Sequence, residues 1–213
     1  MAALTLQHVT KTYSNHTEAV RDVSLTVDDG EFVLLTGDTG YGKSTLLKLI
    51  AGLQSVTFGK ILLDGKEIQD LAADERDISI MTQELDLFPH LTILQNLEEA
   101  ARHGAEAPED LSARIEAIAE RLQITEDLTK KPKQLPPHRK WRAAFAKAWM
   151  ENRSVLLLDE PLADAPASEK QDACETIRRL CRERKVTALC VTHDPAEMEF
   201  FAGRRIRLGE GRL

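Results

Sequence analysis

Apolar and polar positions alternate at the start of the chain. Leu4, Leu6 and His8 recur at every second residue, and so do Val23, Leu25 and Val27. A period of two marks strands with one face in a core. Asp28-Asp29-Gly30 reads as a tight turn. The apolar run Phe32-Val33-Leu34-Leu35 behind it suits a strand covered on both faces. A glycine-rich loop follows, and Ser44 to Ala51 predicts a helix closed by Gly52. In the middle of the chain the period lengthens. Leu111, Ile115, Ile118, Ala119 and Leu122 fall at helical spacing, with Pro108, Glu109 and Asp110 placed for a first turn. Ile93 to His103 and Arg139 to Met150 also predict helices, so residues from about 84 to 150 read as a mostly helical insert.

The last third returns to strands. Val155-Leu156-Leu157-Leu158 predicts a buried strand, and Val186 to Thr192 another. Between them Ser168-Glu169-Lys170-Gln171 has the form of a capping box, opening a helix whose apolar face is Cys174, Ile177, Leu180 and Cys181. Strand, helix, strand at these lengths implies parallel pairing and an α/β core. No internal repeat or low-complexity tract interrupts the pattern.

One segment carries phosphate chemistry. Gly37-Asp38-Thr39-Gly40-Tyr41-Gly42-Lys43-Ser44 fits the P-loop pattern and lies between the strand and the helix that the pattern requires. The glycines let the backbone turn so that N–H groups face phosphate oxygens, and the helix N-terminus adds its partial positive charge. Lys43 is placed to neutralise β- and γ-phosphate charge and Ser44 to ligate Mg²⁺, with Thr45 next to it in the helix. A second signal is the apolar strand that ends in Asp159-Glu160. In a parallel sheet the ligand crevice lies at the carboxyl ends of the strands, which puts Asp159 beside the metal. Glu160 then stands by the γ-phosphate as the group that polarises the attacking water. Val191-Thr192-His193-Asp194 delivers His193 to the same edge.

Composition narrows the partners. The 28 Lys+Arg and 35 Asp+Glu leave a net charge of −7, which argues against a nucleic-acid binder. No run of about 18 apolar residues exists to span a bilayer, and the start of the chain lacks the basic and apolar regions of a secretion signal. The three cysteines, Cys174, Cys181 and Cys190, have no metal-knuckle spacing and are expected as buried, reduced thiols in a reducing compartment.

Taken together these residues resemble the nucleotide-binding domain of ABC transporters over essentially the whole chain. Tyr13 matches the aromatic that in this family stacks on adenine. Gln83, in Met81-Thr82-Gln83, matches the glutamine that links the Mg²⁺ site to the membrane partner, and His193 matches the switch histidine. Leu87-Phe88-Pro89-His90-Leu91-Thr92 continues the match. Asp74-Glu75-Arg76 and Lys131-Pro132-Lys133-Gln134-Leu135 are similar to the importer class that serves sugars and related solutes. The resemblance implies a single domain over residues 1–213. A P-loop core and an antiparallel β subdomain would occupy about 1–83 and 151–213, with a helical subdomain over about 84–150. It implies ATP and Mg²⁺ as cofactors. Implied partners are a membrane permease, a second ATP-binding subunit and, for an importer, a solute-binding protein. The implied location is the cytoplasmic face of the membrane. Members of that class usually carry a further C-terminal regulatory domain, so with an end at Leu213 either the domain is lacking or the sequence is a shortened form.

Two segments depart from the family pattern. Its signature, Leu-Ser-Gly-Gly-Gln, aligns with Leu135-Pro136-Pro137-His138-Arg139. In the family the serine hydroxyl and glycine amides of one subunit grip the γ-phosphate held by the other. Two prolines delete backbone donors, and the hydroxyl is gone. Each donor lost to a developing anion costs about 2.7–4 kcal/mol. Ala163-Asp164-Ala165-Pro166 stands where the family has Ser-Ala-Leu-Asp. Three functions are therefore in contention: an ATP-driven transport motor with reduced or partner-dependent turnover, a nucleotide-binding regulatory subunit, and a soluble ABC ATPase. The acidic charge and importer-like segments count against the third. No Asn-Lys-x-Asp segment supports a GTPase.

Overall fold

The computed structural model describes residues 2–102 and 110–213. Strands β1 (Leu4–Thr12) and β2 (Glu18–Val27) form an antiparallel pair, followed by β3 (Phe32–Thr36) and helix α1 (Lys43–Ile50). Then come β4 (Phe58–Leu63), β5 (Lys66–Glu67) and β6 (Ile78–Met81). Helices α2 (Ile93–Arg102), α3 (Leu111–Arg121) and α4 (Pro137–Met150) fill the middle of the chain. Strand β7 (Val155–Asp159), α5 (Ala167–Arg184), β8 (Thr187–Val191), α6 (Pro195–Phe200) and β9 (Arg204–Arg207) complete it. One sheet is antiparallel, in the order β2-β1-β4-β5. The other runs β6-β7-β8-β3-β9, with every pairing parallel. The architecture is therefore α/β, as expected.

Alternation within the parallel strands builds two cores. Val33, Leu35, Val155, Leu157, Leu189 and Val191 face one apolar cluster, which includes Leu46, Leu47 and Ile50 of α1 and the inner face of the antiparallel sheet. Leu34, Leu156, Leu158, Ala188 and Cys190 face the other, with residues of α2, α3, α4 and α5. The parallel sheet thus has an apolar core on each face, and the loops at the carboxyl ends of its strands rest on it.

Three expectations change. His8 does not continue the inward alternation. It is exposed at φ +52°, where the pairing with β2 shifts register between Leu6 and Val9, so that Val9 takes the buried place. The extra residue at such a bulge displaces every side chain beyond it. Its ring is held by Asp22 Oδ1 at 2.7 Å. The capping box at Ser168 does not form either. Pro166, at φ −59°, precedes the first helical residue Ala167 with no side-chain cap, and Ser168 falls inside the first turn. Third, α4 starts at Pro137, two residues earlier than predicted, because a proline suits the first helical position. The expected helical residue His103 and the first-turn residues Pro108 and Glu109 lie outside the described residues.

Cys174, Cys181 and Cys190 are free and buried. Burial pushes the thiols of Cys174 and Cys181 up to about 12 and that of Cys190 well above its ordinary value. Among the described residues no helix is long and apolar enough to cross a membrane.

Candidate functional site

The carboxyl ends of β3, β6, β7 and β8 lie along one edge of the parallel sheet, and the predicted residues converge there. The loop after β3 bends through Gly37, Gly40 and Gly42, all at positive φ, before α1 begins at Lys43. Asp38, Thr39 and Gly40 are exposed at its crest, and Tyr41 N–H donates back to Asp38 O at 3.4 Å. Lys43 is buried, and its ammonium donates to the carbonyls of Gly37 and Asp38 at 2.7 and 2.8 Å. An ammonium has three donors, so one remains for an anion on the loop.

Ser44, one residue on, donates its hydroxyl to Asp159 Oδ1 at 3.0 Å. This contact joins the first turn of α1 to the last residue of β7 and brings together residues 115 positions apart. Burial pushes the Asp159 carboxyl above its ordinary value, while the Ser44 hydrogen bond pulls the other way. A buried carboxylate that is short of compensating charge, beside a hydroxyl, is a hard-oxygen donor set suited to Mg²⁺.

Glu160 occupies the left-handed region at φ +50°, unusual for a residue with a side chain. Its N–H donates to Val191 O at 2.9 Å. The bend points its carboxylate at His193, whose Nδ1 lies 2.8 Å from Oε1. With the carboxylate ionised, Nδ1–H is the donor. Backbone strain of about 1–3 kcal/mol is found where the surroundings impose it, commonly at functional sites.

Tyr13 follows β1 and reaches α1. Its hydroxyl donates to Gln54 Oε1 at 2.9 Å and lies 3.3 Å from Thr45 Oγ1, while Lys11 Nζ sits 5.5 Å from the ring centroid. An aromatic ring is thereby fixed next to the phosphate loop. Gln83 is exposed, two residues beyond β6. The turn after it is anchored by Thr82, whose hydroxyl donates to Asp86 Oδ2 at 2.6 Å. Buried Asn96 of α2 ties the turn down further, accepting from Phe88 N–H at 2.7 Å.

The segment 135–139 caps α4. Leu135 is buried, Pro136 is the exposed residue before the helix, and Pro137 is its first residue. Arg139 is already engaged: its guanidinium donates to Asp127 Oδ2 at 2.8 Å. The carboxyl of Asp127, fully buried, also accepts from Lys130 at 2.7 Å. Sequence reasoning did not find Asp127, Gln54, or the group formed by Lys170, Thr192 and Glu197. Gln54 and Lys170 act on residues distant in sequence, Asp127 bonds Arg139 twelve positions on as well as the nearby Lys130, and none of them belongs to a motif. One signal was present: Asp194-Pro195-Ala196-Glu197 places an N-cap, a first-position proline and an N3 carboxylate in order.

A parallel sheet with a phosphate loop, a buried Ser–Asp pair and a Glu–His pair on one edge defines a P-loop nucleotide-binding domain. The family model described as ABC transporter matches residues 20–163, and the chain belongs to that family. A relative in Rhizobium meliloti (strain 1021), the sn-glycerol-3-phosphate import ATP-binding protein UgpC, is 38% identical over all 213 residues, which cover 61% of that protein. UgpC 3 of Agrobacterium fabrum is 36% identical over the same span, 60% of its length. The chain thus spans about three fifths of the curated relatives it matches. Among solved structures, the dimeric bacterial ABC transporter cassette MJ0796 superposes with a TM-score of 0.89 at 30% identity, over 99% of this chain and 96% of the other. A post-hydrolysis state of the same cassette, bound to ADP and Pi, matches equally well.

Proposed function

We propose that the chain is the ATP-binding subunit of an importer-type ABC transporter, binding Mg·ATP at its own P-loop and depending on a partner for efficient hydrolysis. The contact between Ser44 and Asp159 carries the reading, since it assembles a metal-ready donor pair on the edge where the loop after β3 awaits phosphates. In this reading the amides from Gly37 to Thr45 and the Lys43 ammonium bind the phosphates, and the Tyr13 ring stacks on the base. Ser44, Asp159 and Gln83 would hold the metal ion, which would supply neutralisation of phosphate charge. Glu160 orients the attacking water and His193 bonds the γ-phosphate. The aligned relatives are named for sn-glycerol-3-phosphate import, and a matching cassette is dimeric. Both support a paired subunit docked on a permease at the cytoplasmic face of a membrane, with specificity for the solute carried by the permease and a solute-binding protein. The net charge of −7 supports no nucleic-acid partner.

What the chain offers the opposite site is poor. Pro136 and Pro137 have no N–H to give, and Arg139 is held by Asp127. That favours a heterodimer in which a partner's intact signature closes over this chain's P-loop. A regulatory subunit with little turnover is the second reading, favoured by the same segment. Titration of ATP into the chain and its Lys43→Ala variant tests the phosphate site. Binding weakened at least about tenfold is expected, as for loss of a charge-assisted bond worth about 1.5–3 kcal/mol. Equal binding refutes the assignment.

A further inference from the structure

A polar cluster that no part of the proposed chemistry uses is buried between α5 and α6. Lys170, 9% exposed, donates to Asp194 Oδ2 and Glu197 Oε1, each at 2.6 Å. Glu197, 2% exposed, accepts through its other oxygen from Thr192 Oγ1 at 2.7 Å. Thr192 Oγ1 in turn accepts from Asp194 N–H at 3.1 Å. Asp194 Oδ1 caps α6 by accepting from the N–H groups of Ala196 and Glu197. Residues 192 and 194 flank His193. Both are therefore tied to one ammonium on α5, Asp194 directly and Thr192 through Glu197.

The histidine needs such a frame. Its side chain is 57% exposed, and among the described residues the hydrogen bond to Glu160 is the contact that orients the ring. With little packing around an exposed ring, its position is set by the backbone that presents it. That backbone is fixed by Lys170, Thr192 and Glu197, which are buried, and by the half-buried Asp194. Burial alone would push Lys170 down, but the hydrogen bonds with Asp194 and Glu197 outweigh it and hold the ammonium above its ordinary range. The bond to Lys170 likewise holds the Asp194 carboxyl below its ordinary value. Removing the cation leaves two adjacent carboxylates, one fully enclosed, without a counter-charge.

Resting on the reading of this edge as a nucleotide-hydrolysing site, we propose that Lys170 is a positioning residue for His193. Through Asp194, Glu197 and Thr192 it fixes the chain on both sides of the histidine and so holds the imidazole on Glu160. Because α5 begins directly after Ala163-Asp164-Ala165-Pro166, the same lysine couples the placement of that segment to the histidine.

The test uses the full chain without nucleotide, so it stands apart from any test of hydrolysis. Nitrogen–proton correlation spectra of the six histidines, recorded at mildly alkaline pH, report their tautomers. His193→Gln assigns the signal. The parent is expected in the Nδ1–H form that Glu160 requires. Lys170→Met should convert it to the averaged tautomers of a free exposed ring, and Lys170→Arg should restore the parent signal. A folded Lys170→Met chain that keeps the Nδ1–H form overturns the proposal, as does a parent without that form. If Lys170→Met fails to fold, Thr192→Val carries the test: it keeps the lysine with both carboxylates and removes the arm through Glu197 and Thr192, with its acceptor for Asp194 N–H, which the proposal requires as well as the direct Lys170–Asp194 bond. Loss of the Nδ1–H form in that variant supports the proposal, and an unchanged signal overturns it.

Discussion

Gly40 and Gly42 have nearly the same φ, +86° and +88°, and unlike surroundings. A Cβ on Gly42 would lie 1.9 Å from the Ala19 carbonyl oxygen, whereas one on Gly40 would meet nothing within 4 Å. Alanine carries the same dihedral strain at both places, about 1–2 kcal/mol. At Gly42 the carbonyl must also retreat by more than about 1 Å to reach an ordinary carbon–oxygen contact. That movement distorts β2 or the first turn of α1, at the overpacking cost of about 1–3 kcal/mol. The two variants should therefore differ in stability by that overpacking cost, or by about 2–12 °C in melting temperature for a chain of this size. Nucleotide binding should rank them differently. In the proposed binding mode phosphate oxygens approach the loop amides through the open space at Gly40, so Gly40→Ala should bind ATP at least about tenfold more weakly at only the dihedral cost in stability. Urea unfolding and titration calorimetry on the two variants measure both effects. Equal stability losses, or unchanged ATP affinity in Gly40→Ala, would refute the reasoning.

Asp127→Asn should destabilise the chain by about 1–3 kcal/mol at neutral pH, since it weakens two charge-assisted bonds to a buried carboxylate. Burial opposes ionisation there, but the bonds from Lys130 and Arg139 outweigh it and hold Asp127 below its ordinary value. Its contribution is present above the unfolded value of about 3.9 and is lost as pH falls through the folded one. Parent and variant unfolding curves should therefore converge in acid, and a gap independent of pH would contradict this. The native cysteines, buried with Cys174 and Cys181 pushed up to about 12, should resist thiol reagents at mildly alkaline pH and react fully in denaturant. Rapid labelling of the native chain would show that they are accessible.

Much of the site was legible because its residues sit at strand ends, where period and motif coincide. Phe32-Val33-Leu34-Leu35 and Val155-Leu156-Leu157-Leu158 announced buried strands, and each run leads within two residues to one that bears the chemistry, Gly37 or Asp159. The bulge at His8 was not legible, because alternation reads the same through a polar residue whether or not an extra one is inserted. The start of α5 was misread because Ser168 and Gln171 have capping-box spacing inside a helix already begun by Pro166. Local spacing cannot reveal that Arg139 is bound to Asp127, twelve residues earlier. Lys170 reads as an exposed helical lysine until α6 folds over it.

Steady-state Mg·ATP hydrolysis by the chain, set against a variant with Pro136→Ser, Pro137→Gly and His138→Gly, tests the central claim most directly. Both are compared with their Glu160→Gln counterparts, which should bind ATP and show no turnover. If this chain's P-loop, Asp159 and Glu160 are competent and the signature limits turnover, restoring the hydroxyl and the donor amides should raise turnover about 10²–10³-fold, the effect of one well-placed donor. A parent chain that already hydrolyses ATP as fast as the restored variant, with activity lost in both on Glu160→Gln, would contradict the account.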